Sequence, residues 1–71
     1  MLDYDFHYKQ NLELFKKYKD EFEFEFQAQD MCRRFYVSMV NNVLMRTFQP
    51  DEEKLIEIKA INDALNDSFP A

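Results

Sequence analysis

A chain of 71 residues without a single glycine has few ways to turn sharply. Glycine supplies positive φ at no steric cost, and both tight hairpins and phosphate-cradling loops lean on it. Its absence argues against a β-rich fold and removes the P-loop and the dinucleotide-binding fingerprint. Proline is confined to Pro50 and Pro70. Helices joined by few turns are the favoured solution.

The clearest boundary is TFQPDEEKLIEIK, residues 47–59. Pro50 suits the first turn of a helix, where a missing N–H is harmless. Asp51, Glu52 and Glu53 then complement the positive end of the helix dipole. Leu55, Ile58, Ile61 and Leu65 recur at helical spacing, widened by Ile56, Ala60 and Ala64, which predicts a helix over 51–67.

Upstream, Cys32, Phe35, Tyr36, Met39, Val40, Val43 and Leu44 fall on one broad arc. Arg33, Arg34, Ser38, Asn41, Asn42, Arg46 and Gln49 lie opposite. This predicts a central helix over about 30–48, capped by Asp30 and closing antiparallel on the last helix across the QPD turn. Met31, Val37, Met45 and Phe48 lie outside the arc. They read as contacts to other helices or as a binding surface, where methionine adapts.

The N-terminal third supports two readings. Tyr8, Leu12, Phe15, Tyr18, Phe22 and Phe26 form one helical stripe, with Lys19 inside it, its stem packed and its ammonium reaching water. Yet EFEFEF at 21–26 alternates as a strand would, and so do Leu2, Tyr4, Phe6 and Tyr8. The helical stripe explains six positions and the strand four. The expected fold is therefore mainly α, a small dimeric bundle of about three helices in a single domain over 1–71. The alternative is α+β, with short strands near 2–8 and 21–27 packed on two helices. Phe24 separates the two: a strand aligns it with Phe22 and Phe26, and a helix points it elsewhere. No glycine or proline interrupts residues 9 to 48, and QAQD at 27–30 is the best place for a break.

Eight phenylalanines and four tyrosines are more than three short helices can enclose, since each large aromatic buries roughly 150–250 Å². A chain this short buries only about 60% of its unfolded surface. One cysteine excludes an internal disulfide, and that cysteine with one histidine argues against structural zinc. Oligomerisation or docking on a larger partner remains.

The net charge of −5 disfavours non-specific nucleic-acid binding, and Lys9, Lys16, Lys17 and Lys19 interrupt the acids of a solvated surface. The opening MLDYDFHYKQ lacks the basic and apolar regions of a signal peptide, and no stretch approaches the ~18 apolar residues of a membrane span. A cytoplasmic protein with reduced Cys32 in its core is expected. Glu21 and Glu25 read as solvated acids. His7 reads as a surface histidine, too weakly paired with Asp3 to hold a metal, and no cofactor is implied.

The expected function is non-enzymatic: an adaptor, regulator or inhibitor docking on a larger protein through Phe24, Arg33, Arg34 and Met45. Compact acidic chains of this kind are frequent among phage and mobile-element accessory proteins, a compositional association only. A nucleic-acid-linked regulator using Arg33, Arg34, Arg46 and the lysines at 16, 17 and 19 is the alternative. A carboxylate-based enzyme ranks third; it would need a bound divalent metal or a glutamate with a strongly raised pKa.

Overall fold

A computed structural model describes residues 4–70. Three helices account for most of them: α1 (Tyr4–Glu21), α2 (Glu25–Leu44) and α3 (Asp51–Ser68). The mainly α bundle is as expected, and the strand alternative is overturned. Residues 4–8 open α1, and 21–27 divide between the last residue of α1, a bend at 22–24 and the start of α2. Leu2 and Asp3 lie outside the described residues.

Helix direction follows from cross-contacts. His7 meets Glu57 near the start of both helices and Lys19 meets Ser68 near their ends, so α1 and α3 run parallel. Arg46, just past the end of α2, also meets Glu57, so α2 runs antiparallel to both. Packing is more extensive between α1 and α3 than between either helix and α2. The cause lies in α3, which buries Glu57, Ala60, Ile61, Ala64 and Ser68. The two alanines leave room for the bulk of α1, whose Phe15 is fully buried and whose Tyr8, Leu12 and Tyr18 pack around it. Large side chains set against small ones bring packing to interior density. The buried face is thus rotated from the one predicted: Leu55 is 65% exposed, while Ala60 and Ala64 sit at the centre.

Phe15, Ala28, Cys32, Val43, Ile61, Ala64 and Phe69 form the core. Enclosing Phe15 contributes roughly 1.5–3 kcal/mol. Lys19 does more than reach water: its Nζ donates to the Ser68 carbonyl at 2.9 Å and sits 5.2 Å from the Phe69 ring, closing the end of α3.

Both turns are built without any residue at positive φ among those described. The first falls inside EFEFEF rather than at 27–30. Phe24 is extended (φ −113°, ψ 136°), and its carbonyl accepts from the amides of Gln27 at 3.1 Å and Ala28 at 3.4 Å. α2 therefore begins five residues earlier than expected, and no side chain caps it. Asp30, expected as the cap, lies within the helix and pairs with Arg34 at 3.2 Å. Packing supplies what the local sequence lacks: breaking here folds α2 back so that Ala28 and Cys32 bury beside Phe15.

α2 stops at Leu44, short of the expected 48. The Met45 and Arg46 amides bond back to Asn41 and Val43. Pro50 sits just ahead of α3, and its carbonyl accepts from Glu53 and Lys54 at 3.1 Å each.

Candidate functional site

Phe24 is 52% exposed, Phe26 69%, Met45 78% and Phe48 84%. They gather at the two ends of α2. Phe24 and Phe26 stack at 5.8 Å beside the first turn. Leu44, Met45 and Phe48 crowd the second. A helix of 20 residues separates the ends by about 30 Å.

The four residues expected to bind a partner are therefore strung along α2 rather than brought together. Phe24 lies at its start, Arg33 and Arg34 in its middle and Met45 at its end. Arg34 is exposed and engaged with Asp30. Arg33 borders a depression of about 490 Å³ between α2 and the end of α3, with Leu65 and Phe69 in its wall.

A second feature was hidden from the sequence. Between α1 and the C-terminal half of α2, a groove of about 660 Å³ opens onto α3. Leu14, Met39, Val43 and Ile61 give it an apolar lining, and Gln10, Glu13 and Lys17 stand on its α1 wall. At its base lie two buried polar residues, His7 and Glu57. Arg46 Nη1 donates to Glu57 Oε1 at 2.8 Å and to Gln49 Oε1 at 3.0 Å. His7 Nε2 lies 3.8 Å from the same Glu57 oxygen, beyond hydrogen-bond length. The Asn11 amide donates to the His7 carbonyl at 2.7 Å, and Phe6 packs edge-on against the imidazole.

The expectation of a surface His7 is thereby corrected. α1 presses its inner face on α3, and position 7 shares that face with Asn11 and Phe15. One signal for Glu57 was present: it shares a helical face with Ala60, Ile61, Ala64 and Ser68. A charged residue heading a line of alanines marks where a neighbouring helix comes close.

A tyrosine–aspartate ladder clasps α1 to α3. Tyr4 donates to Asp63 and Tyr8 to Asp67, each at 2.5 Å, and the two rings stack at 5.7 Å. The hydrogen bond to Asp63, then desolvation, push the Tyr4 phenol up to about 12. The Tyr4 bond, with the Lys59 ammonium at 3.0 Å, holds the Asp63 carboxyl below its ordinary value.

Cys32 is fully buried, with Sγ 3.9 Å from the Phe15 carbonyl oxygen, and burial pushes its thiol up. Those are conditions of an inert cysteine. Glu21 and Glu25 are exposed, and Glu25 pairs loosely with Lys19 at 3.5 Å. Among the described residues, no three His, Cys, Asp or Glu side chains are placed to share a metal ion, and no helix is long and apolar enough to cross a membrane. Compared with known protein families, curated protein sequences and solved structures, the chain matches none.

Proposed function

We propose that this chain is a non-enzymatic interaction module that docks on a larger protein, as an adaptor, regulator or inhibitor. The observation that carries the reading is the exposure of Phe24 and Phe26 at one end of α2 and of Leu44, Met45 and Phe48 at the other, with Leu55 on α3 also exposed. A small chain gains by enclosing aromatic rings, and large exposed apolar patches mark binding surfaces. The end of the bundle around Met45 and Phe48 is the stronger docking candidate, because adaptable methionine and the most exposed of these rings both belong to the turn between α2 and α3. Arg46 and Lys19, needed for a basic nucleic-acid face, are drawn instead to Glu57 and to the end of α3.

The test starts by capturing a partner from the host on the tagged chain and purifying it. Its affinity is then measured for Phe24→Ser and for the double variant Met45→Ser, Phe48→Ser. Both variants should keep the parent's circular dichroism, because the replaced side chains are exposed. The double variant should bind at least about tenfold more weakly, and Phe24→Ser should bind more weakly by a smaller factor. Unchanged affinity in both would remove the reading.

A further inference from the structure

The outward side of α2 carries its own seam. Phe26, Asp30, Arg33, Val37, Val40 and Leu44 are spaced by four, three, four, three and four, the repeat that lets two helices pack knobs into holes. They lie to one side of the buried line of Ala28, Cys32 and Val43, with Val40 nearest to it. All are exposed except Val40, which is half-buried. Arg33, which borders the depression beside Leu65 and Phe69, and Val40 mark the edge of this side, with Phe26, Asp30, Val37 and Leu44 open to solvent.

Two charges interrupt the seam, and they choose its partner and register. Parallel self-pairing would set Asp30 on Asp30 and Arg33 on Arg33. An antiparallel pair in full register would set each charge against a valine. Centred instead between residues 31 and 32, an antiparallel pair sets Asp30 against Arg33 twice and Phe26 against Val37 twice. A polar pair at core positions fixes register in this way.

We infer that α2 pairs with α2 of a second copy of this chain, antiparallel, with Asp30 of each copy facing Arg33 of the other. This rests on the interaction reading and names one partner for it. Phe24, stacked on Phe26, extends the apolar edge toward the partner's Val40. The overlap of about 14 residues is roughly 21 Å long. At about the width of one helix it buries only a few hundred Å² per copy, well below ~1,200 Å² in total and in the range of weak, transient associations. The Met45–Phe48 end lies outside the overlap and stays open to a different protein.

A charge exchange on the full-length chain, followed by sedimentation velocity over a concentration series, tests this. The parent should dimerise with a dissociation constant in the micromolar to submillimolar range. Asp30→Arg and Arg33→Asp should each weaken dimerisation at least about tenfold by setting like charges face to face. The double variant should recover to within about threefold of the parent. Arg34→Gln breaks only the intrachain bridge to Asp30 and should leave association unchanged. All four substituted chains should keep their helicity, since these side chains are exposed. A parent that stays monomeric throughout overturns the self-pairing, and so does a double variant that fails to recover. Neither result bears on the docking reading, which is judged by partner affinity at Met45 and Phe48.

Discussion

At the scale of single residues, Glu57 and Arg46 set the terms of the groove. A buried carboxylate is tolerated because the guanidinium meets it at 2.8 Å, and removing one member of such a pair costs more than the pair itself is worth. The members are not equivalent. The Glu57 side chain is 10% exposed and that of Arg46 34%. Without Glu57, Arg46 can rehydrate; without Arg46, Glu57 is left buried beside His7. Arg46→Ala should therefore lose about 2–3 kcal/mol in urea unfolding, discounted from the fully buried case for partial exposure, and Glu57→Ala about 1 kcal/mol. The opposite order would show that Glu57 is hydrated through the groove. The place of Glu57 on the alanine face was legible beforehand, but its pairing with Arg46 was not. Periodicity assigned Arg46 and Gln49 to a solvated side, and the partner that draws Arg46 inward comes from another helix.

Between elements, the Tyr4–Asp63 and Tyr8–Asp67 ladder ties α1 to α3 in a pH-dependent way. Tyr4 has its phenol raised from 10.0 to about 12. The folded state thus favours the neutral phenol: its contribution is complete below pH 10 and is lost as pH rises toward 12. Asp63 works with the opposite sign, because its carboxyl is lowered from 3.8; its contribution is complete above that value and fades as pH falls. Tyr4→Phe keeps the ring that stacks on Tyr8 but cannot donate to Asp63. Stability followed by chemical denaturation should fall less steeply between pH 10 and 12 in the variant. The difference in phenolate absorbance between the two chains should titrate near pH 12. A midpoint near 10 would show that the bond does not form in solution. In the sequence, Tyr4 and Tyr8 read instead as alternating strand positions, because their partners on α3 lie 59 residues away. The same limit explains the turns. Pro50 announced the start of α3 to within a residue, whereas Phe22, Glu23 and Phe24 carry no breaker, and the break there is imposed by the core that forms on either side.

For the whole molecule, the extents of 39 × 21 × 19 Å matter most. The two short dimensions equal about two helix diameters, so every helix keeps a bare side. Composition foresaw the result, because twelve aromatics were too many to enclose. It did not say which would stay out, since that depends on how α3 is rotated to receive α1. A chain of this length has roughly 4–10 kcal/mol of stability in total. Phe15→Ala should remove about 3–5 kcal/mol of it and leave the chain largely unfolded at moderate urea, by circular dichroism. Retention of the parent's midpoint would mean that the core does not close around Phe15.

Cys32, the one thiol of the chain, sits in that core at 0% exposure. A thiol reagent in solvent reaches it only when the bundle opens. Its rate of labelling is therefore a clock for excursions out of the native state, read without any added probe. Slow labelling set by global unfolding would make the three helices one cooperative unit. Faster labelling, insensitive to the Tyr4–Asp63 clasp, would time the departure of α2 alone from a surviving α1–α3 pair.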